Sequence, residues 1–415
     1  MENRSLKLND YLILLGCVLL MGTTMGIVNV VLTMFYPLVS LDLGVSRASF
    51  ALTGTITALS SMVAALFWGF YYSRKPLQRG MVISIIVIGL ALFAQQAARN
   101  LYQFYALALV IGISFGGISI IPVSIIITRH FTSKTGLMLS IAMAGVGFGA
   151  MVLNPIINTI INNAGWRVGY LVLALVIFFI TLPCAIMVTS LTKSEIQTRQ
   201  TKSEVKIEGT VTSPVKQTWL WSFLLGAFLS GVTGAAVLAN LPTYMKDLNF
   251  SVSRISIVSS AYSASLVFNK FILGFLYDRF GAKVATLTAS LLMTLSLVLL
   301  MVIDTPIMLI LMIFTIGMGL SVGTVTITWL ANYFFSKEEF SKYYGTVQFA
   351  NSLGMAVGVP SIAFGLENLA NTNLLWLVLT VLCLGMVALF MVSIRGNQNY
   401  KAANIISSIE RAKAS

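Results

Sequence analysis

Long apolar stretches recur along the whole chain, and they constrain its fold more than any other feature. Tyr11–Ser40 and Leu374–Ile394 are two of them, and each is long enough to supply the roughly 20 residues that a helix needs to cross a bilayer. A secretory signal peptide has one shorter apolar core, followed by a soluble mature domain. The sequence therefore predicts a membrane protein that crosses the bilayer many times and has no cleaved leader.

The amino-acid composition excludes a water-soluble globular protein. Of the 415 residues, 57% are hydrophobic and only 9% are charged, whereas soluble domains carry about 25% charged residues. The three cysteines, Cys17, Cys184 and Cys383, all fall within apolar stretches, where they act as small buried hydrophobic residues. They predict no disulfide framework.

Hydropathy, with glycines, prolines and charges marking the ends, divides the chain into twelve predicted spans. They lie at 11–40, 49–73, 80–98, 101–128, 135–161, 168–191, 218–245, 255–277, 282–303, 306–334, 341–366 and 373–394. We therefore expect an all-α membrane protein with an N-terminal six-helix half (1–191) and a C-terminal six-helix half (218–394). The polar stretch 192–217 is predicted to be a mobile cytoplasmic linker, and 395–415 a cytoplasmic tail.

The basic residues are distributed unevenly between the loops on the two sides. The net charge is +13, from 26 Lys and Arg against 13 Asp and Glu, a balance that would also suit a nucleic-acid-binding protein. If the N-terminus is cytoplasmic, twenty cations fall in inner segments and five in outer ones. This bias predicts that both termini are cytoplasmic. It also argues against a nucleic-acid partner, because the cations flank the membrane instead of forming one patch.

An internal repeat is visible at an offset of 205 residues. Gly69–Arg74 matches Gly274–Arg279, and the same offset relates Pro37 to Pro242, the pair Ile111 and Gly112 to Ile316 and Gly317, and Pro155 to Pro360. Four matches at one offset indicate a duplication of six helices. Parallel repeats of this kind place a substrate site between the halves, near the middle of the membrane.

One copy of the repeated segment carries a recognisable motif. Gly274–Lys283 reads GxLxDRxGxK, whereas the first copy has Ser73 in place of the acid and Pro76 in place of the second glycine. With this motif the whole chain resembles the major facilitator superfamily, whose members are transporters. The resemblance implies that a cytoplasmic gate motif latches the halves, and its residues here are Gly69, Arg74, Gly274, Asp278 and Arg279.

Three further stretches resemble one branch of that superfamily, the monocarboxylate and oxalate:formate antiporters. They are 35–50, 100–112 and 136–167. The resemblance implies that a cation in helix eight, here Lys270, binds the carboxylate of the substrate. The oxalate carriers pair it with a second cation in helix eleven, where this chain has Gln348 and Asn351. A monoanion is therefore favoured over a dianion.

The residues themselves also single out Lys270. A charged lysine within the bilayer costs about 2.5 to 3.5 kcal/mol on insertion scales unless it faces a cavity or a partner. All thirteen acids lie in tails, loops or span ends, so none is placed to pair with it inside the membrane. An anionic substrate is the remaining partner. The alternatives are a snorkelling lysine, or a neutral one held by backbone carbonyls.

Other polar and aromatic residues in the spans could complete a substrate site around this cation. They are Asn29, Tyr36, Asn240, Tyr262, Asn269, Trp329, Gln348 and Asn351. Each has an alternative role in interhelical hydrogen bonding or packing, and Tyr36 and Trp329 could belong to the aromatic belts at the membrane surface. The helix glycines, such as Gly112, Gly145 and Gly149, are expected to be close-packing contacts.

No motif predicts a catalytic residue, a cofactor or a metal site. The single histidine, His130, follows Arg129 at the cytoplasmic end of helix four. It could relay protons, but we expect it to be a solvated residue at the membrane boundary. The spans contain no acid and no other histidine to act as a general base, which argues against an intramembrane enzyme. The short tail offers no output domain, which argues against a receptor.

The leading prediction is alternating-access transport of a small organic anion, a monocarboxylate above all, by symport, antiport or uniport. Its partners are the lipid bilayer and a co-transported proton if the mode is symport, and we expect a monomer in the cell membrane. The alternative is multidrug efflux. Efflux carriers of this superfamily usually have an arginine at the place of Ala108 and acids within the membrane, and this chain has neither. A sugar or nucleoside carrier would not need Lys270.

Overall fold

A computed structural model describes residues 8–131, 134–202, 217–248, 250, 252–302, 306–368 and 372–414. Helices joined by short turns make up these residues, and the described part of the chain contains no strand, so the predicted all-α fold is confirmed. The chain forms two compact units. The first unit comprises Met1–Glu204 with Phe335–Phe349, and the second comprises Val205–Phe334 with Ala350–Ser415.

The first unit contains the six predicted spans of the N-terminal half. Its helices are α1 (Leu8–Asn29), α2 (Tyr36–Asp42), α3 (Arg47–Arg74), α4 (Leu77–Gln95), α5 (Leu101–Phe115), α6 (Ile120–His130), α7 (Thr135–Ala164), α8 (Trp166–Val176) and α9 (Leu182–Lys202). A 3₁₀ turn, Val31–Phe35, joins α1 to α2, and a π segment, Ile177–Thr181, joins α8 to α9. Helix α9 continues past the predicted end at Leu191, and the remainder of the predicted linker up to residue 216 lies outside the described residues.

The second unit takes up most of the C-terminal half. Its helices are α10 (Gln217–Asp247), α11 (Val252–Met301), α12 (Pro306–Leu320), α13 (Ile327–Phe334) and α15 (Thr372–Ala414), together with the part of α14 (Lys337–Asn368) that follows Phe349. Helix α11 holds two predicted spans that meet at Gly281, whose φ of +76° suits a residue without a side chain. A π segment, Val322–Thr326, joins α12 to α13, and α15 continues through most of the predicted tail.

The described helices have the length and the surface of membrane spans. Nine segments are long and apolar enough to cross a bilayer, and Trp219–Ala235 is a shorter apolar helix. Large apolar side chains such as Phe179, Ile310 and Val381 are exposed on the helix surfaces, where acyl chains rather than water would meet them. With α11 counted as two spans, the described helices supply all twelve predicted crossings.

Glycines set how closely the helices of each unit approach one another. A Cβ on Gly22 of α1 would lie 2.9 Å from the carbonyl oxygen of Gly145 in α7. In the second unit, a Cβ on Gly231 of α10 would lie 2.9 Å from the backbone nitrogen of Met355 in α14. The predicted close-packing role of such helix glycines is confirmed. The predicted burial of all three cysteines is confirmed as well.

Two interruptions shape the interior of the first unit. Helix α1 ends at Asn29, within its span, and Val30 has non-helical backbone angles before the 3₁₀ turn begins. Pro37, near the start of α2, lacks a backbone N–H and so favours a break at this point. The fourth span is likewise divided between α5 and α6, at Gly116–Ser119. Broken membrane helices leave backbone polar groups free to line a cavity.

Candidate functional site

A cavity of about 150 Å³ lies inside the first unit, beside the break between α1 and α2. Residues from α1, the 3₁₀ turn, α2, α3, α4, α5 and α8 line it. Its polar lining includes Asn29, Thr33, Tyr36, Thr53, Thr57, Ser61 and Gln95, and Phe104, Phe115 and Tyr170 form part of the remaining wall. Two predicted site residues, Asn29 and Tyr36, are therefore neighbours here.

Helix α3 contributes three hydroxyl groups to this cavity, spaced four residues apart on one face. The Thr53 hydroxyl donates to the Phe50 carbonyl at 2.8 Å, and the Thr57 hydroxyl to the Thr53 carbonyl at 2.9 Å. Ser61 donates to the Ala58 carbonyl at 2.9 Å. Each hydroxyl has one hydrogen, so these three groups have only lone pairs left for a ligand.

Gln95, the last residue of α4, adds an amide to the same cavity. It is 4% exposed, and its Oε1 accepts no hydrogen bond from the residues that the structure describes. Sequence reasoning missed both this glutamine and the hydroxyl stripe of α3. Two signals were present: an uncharged amide inside a predicted span, and hydroxyl residues at the spacing of one helical face.

Lys270 lies in the second unit, on α11, and only 9% of its surface is exposed. The Lys270 side chain makes no hydrogen bond or ion pair with the residues that the structure describes. The neighbouring Asn269 is fully buried, and its Nδ2 donates to the Ser265 Oγ at 2.8 Å and to the Phe314 carbonyl at 2.9 Å. That amide ties α11 to α12, so it fixes the backbone on which Lys270 sits.

Trp329 lies in an aromatic stack of the second unit. Its ring centroid is 4.6 Å from that of Tyr277 and 5.5 Å from that of Tyr333, with nearly parallel planes in both pairs. Tyr277 is on α11, seven residues after Lys270 and therefore on the same helix face. At 1.5 Å per residue the stack lies about 10 Å along the axis from the lysine.

The remaining predicted site residues are dispersed. The Asn351 amide in α14 is 3% exposed and donates to the Ala227 carbonyl at 3.1 Å, which links α14 to α10. Gln348 is half-buried in the part of α14 that packs with the first unit, and its Oε1 accepts no hydrogen bond from the described residues. The side chains of Asn240 and Tyr262 lie outside those that the structure describes. Their predicted contact with a substrate stays a prediction.

The residues of the predicted gate motif lie near the end of α3 and near Gly281 of α11. A Cβ on Gly69 would lie 2.9 Å from the Cα of Gly345, a close approach of α3 and α14 within the first unit. The Arg74 guanidinium lies 4.1 Å from the Phe70 ring centroid. Gly274 is buried, whereas Asp278 and Arg279 are exposed. Their role as a latch stays a prediction.

The prediction that His130 is solvated is wrong. The side chain is 1% exposed, and its Nε2 lies 2.7 Å from the Oδ1 of Asp10, which is 7% exposed. The acid at the start of α1 faces the histidine at the end of α6, and their contact offsets the cost of burying both polar groups. Among the described residues, no group of His, Cys, Asp or Glu side chains has the arrangement of a metal site.

The chain is similar in sequence and in fold to known transporters. The model of the Major Facilitator Superfamily matches residues 13–246 and 223–405. Multidrug resistance protein MdtG of Escherichia coli O9:H4 (strain HS) is 25% identical over 297 residues, which cover 68% of this chain and 70% of that protein. The transporter FucP, in its outward conformation, gives a TM-score of 0.69 at 11% identity, over 92% of this chain and 98% of FucP. The human organic anion transporter MFSD10 gives 0.66 at 14% identity, over 92% and 98%.

Proposed function

This chain belongs to the Major Facilitator Superfamily, and on that premise we propose that it is a secondary active transporter of a small monocarboxylate. It is a multi-pass membrane transport protein, and the proposal concerns its substrate and its mode of action. The single observation that carries the proposal is Lys270, a cation that is 9% exposed in the second unit. The resemblance to monocarboxylate and oxalate:formate carriers supports the same substrate class.

The argument from Lys270 is one of charge balance. An ammonium group withdrawn from water inside a membrane needs a counter-charge or a polar cavity. Asn269 next to it donates its amide hydrogens to Ser265 and to the Phe314 carbonyl, so they are already engaged. A carboxylate from the substrate would supply the missing charge. In alternating access, such a pair forms when the substrate binds and breaks when it leaves.

The uncharged residues of α14 favour a substrate with one negative charge. Gln348 and Asn351 occupy the helix where a carrier of dianions would place a second cation. The Asn351 amide is engaged with the Ala227 carbonyl. A second carboxylate would thus be desolvated without a cationic partner, which is costly in a medium of low dielectric.

Substitution of Lys270 tests the proposal directly. Lys270→Gln should weaken binding of a labelled monocarboxylate by a factor of about 10² or more, because a desolvated carboxylate then lacks its counter-ion. Lys270→Arg should keep part of the activity, since it returns the charge with a different hydrogen-bond geometry. The measurement is binding and exchange in proteoliposomes. Arg395→Gln, which removes an exposed cation from another helix of the same unit, is the matched control.

Two results would contradict the proposal. Wild-type affinity in folded, monodisperse Lys270→Gln would mean that the lysine is not the anion site. An equal loss in Arg395→Gln would mean that the effect comes from the net charge of the protein and not from this position.

We also propose that the protein resides in the cell membrane with both termini in the cytoplasm. The support is the concentration of Lys and Arg in alternate loops. A reporter fused after residue 415, or inserted between residues 203 and 216, should be accessible only from the cytoplasm. Labelling of either site from outside intact cells would contradict this topology. A monomer, the expected state, should give a protein mass of about one chain, 45.0 kDa, when the purified protein is analysed by light scattering.

Multidrug efflux is the second candidate function, and the relatives named multidrug resistance protein MdtG favour it. Transport of lipophilic drugs would not depend on a single cation. Cells expressing the protein should then extrude a fluorescent dye, and Lys270→Gln should extrude it equally well. Dye extrusion without carboxylate transport would favour efflux over the leading proposal.

A further inference from the structure

We propose that the cavity of the first unit is a binding site for a small neutral molecule that donates hydrogen bonds through hydroxyl groups. This site goes beyond the proposed function, because it lies inside the unit that does not contain Lys270 and takes an uncharged ligand. The groups that line it determine its chemistry: acceptors, an unpaired amide oxygen and aromatic rings.

The volume of the cavity sets the size of the ligand. At about 150 Å³ it matches the cavities that hold a molecule as large as benzene. A short polyol has the same number of non-hydrogen atoms. Drug-sized molecules usually occupy pockets of about 300 Å³ or more, so the volume favours a smaller ligand.

The hydrogen-bonding groups of the cavity call for donors from the ligand. The hydroxyl hydrogens of Thr53, Thr57 and Ser61 are already donated to backbone carbonyls of α3. Thr33, in the 3₁₀ turn, likewise donates to the Val30 carbonyl at 2.7 Å. These four groups can only accept further hydrogen bonds. A ligand with several hydroxyl hydrogens complements them.

Gln95 supplies an independent observation for the same ligand. Its side chain is 96% withdrawn from solvent, and its Oε1 accepts no hydrogen bond from the described residues. A buried polar atom without a partner destabilises a protein, and ligand binding relieves that cost when the ligand donates to it. A hydroxyl group in the cavity would supply the donor.

The walls favour a neutral ligand over an ion. None of the residues that line the cavity is charged, so an ion would be desolvated there without a counter-charge. Phe104, Phe115 and Tyr170 present rings on the apolar side, which suit the C–H face of a small polyol. The groups that can donate in return are the Asn29 and Gln95 amides and the Tyr36 and Tyr170 hydroxyls, so a ligand that both donates and accepts, as a polyol does, fits the lining.

Four probes with equal numbers of non-hydrogen atoms test this assignment. Glycerol is neutral and donates, 1,2-dimethoxyethane is neutral and only accepts, 2-amino-1,3-propanediol is cationic, and lactate is anionic. Each is titrated into the full-length protein in nanodiscs prepared without glycerol, and binding is followed by saturation-transfer NMR and calorimetry. We expect glycerol to bind at this site more tightly than 1,2-dimethoxyethane or 2-amino-1,3-propanediol.

The second unit shows which substitutions the fold tolerates. At the offset of 205 residues, Gln95 corresponds to Leu300 and Thr53 to Val258, both buried. Gln95→Leu and Thr53→Val therefore remove acceptors while introducing side chains that an equivalent position already accommodates. Each should weaken glycerol binding, Gln95→Leu by a factor on the order of ten. Ser140→Ala, which removes another buried hydroxyl away from the cavity, is the control and should bind glycerol normally.

The outcomes separate this proposal from the proposed function. It is overturned if wild-type protein does not bind glycerol, if 1,2-dimethoxyethane or 2-amino-1,3-propanediol binds as tightly, or if both Gln95→Leu and Thr53→Val bind glycerol normally. Should Gln95→Leu fail to fold, Thr53→Val decides. Lactate binding should depend on Lys270 and not on Gln95, so its failure would contradict the transport proposal and leave the glycerol result intact.

Discussion

The two units share a helical framework and differ in what they enclose. Helix α5 begins and ends 205 residues before α12 begins and ends. Each of these two helices places a glycine against a serine of the helix two spans earlier: Gly112 against Ser60 in the first unit, and Gly317 against Ser265 in the second. The offset seen in the sequence is therefore also present in the packing contacts.

The interiors have diverged at the same offset. Where the first unit has a neutral polar cavity, the second has apolar side chains, and where the second has its buried cation, the first has an alanine. The corresponding pairs are Gln95 and Leu300, Thr53 and Val258, and Ala65 and Lys270.

This difference shows which residues the framework requires. A glycine at a helix crossing cannot be exchanged without moving the backbone, so both units keep it. Side chains that face a cavity do not determine the crossing, and they can change chemistry while the helices stay in place. The two proposed ligands differ in the same way: a neutral hydrogen-bond donor for the first unit and an anion for the second.

The largest expected effect comes from a buried polar contact of the first unit. Asp10→Ala should lower the free energy of unfolding by about 3 to 5 kcal/mol, because it leaves the buried His130 without its carboxylate. Thermal or denaturant unfolding in detergent measures the loss. Asp42→Ala is the control: the Asp42–Arg167 pair is about half exposed and should contribute about 1 kcal/mol or less.

A double variant sharpens this prediction. Phe335 stands 205 residues after His130, so the second copy of the repeat has an aromatic side chain at the corresponding place in the sequence. Asp10→Leu combined with His130→Phe should recover much of the stability that Asp10→Ala loses, because apolar side chains of similar volume replace the whole pair. If the double variant is as unstable as the single one, the pair has a role that packing cannot replace.

The next largest effect is a loss of stability on substitution of helix glycines, and it should be equal in the two units. Gly149 and Gly354 are related by the offset, and an added Cβ would collide with the backbone of Gly22 in one case and of Phe228 in the other. Gly149→Ala and Gly354→Ala should each cost about 1 to 3 kcal/mol through displacement of a helix. Gly385→Ala, whose Cβ would lie 3.8 Å from the nearest side-chain atom, should be neutral or slightly stabilising. A large effect in one unit alone would contradict a shared framework.

The fold was predictable because each segment that crosses the membrane must be an apolar helix, and this requirement is visible in a short stretch of sequence. The predicted span 101–128 corresponds to α5 and α6, which end at His130. The contact between His130 and Asp10 could not be predicted, because the two residues lie 120 positions apart and their meeting depends on how α1 packs against α6. The cavity escaped prediction for a similar reason: Gln95 becomes unpaired only through the arrangement of its neighbours.

The smallest expected effect decides whether an amide of the second unit serves packing or the substrate. Asn351 corresponds to Val146 at the offset, and it hydrogen-bonds to the Ala227 carbonyl at 3.1 Å. If the amide serves packing, Asn351→Val should lower the free energy of unfolding by about 0.5 to 1.5 kcal/mol and leave monocarboxylate affinity unchanged. If it also binds the substrate, monocarboxylate affinity should fall as well. Measuring both quantities on the same preparation separates the roles, and Thr380→Val, which removes a buried hydroxyl bonded to the Trp376 carbonyl of its own helix, controls for the loss of one hydrogen bond. An affinity loss in Asn351→Val alone would extend the anion site from α11 to α14, and the divergence between the units would then include the substrate contacts of both helices.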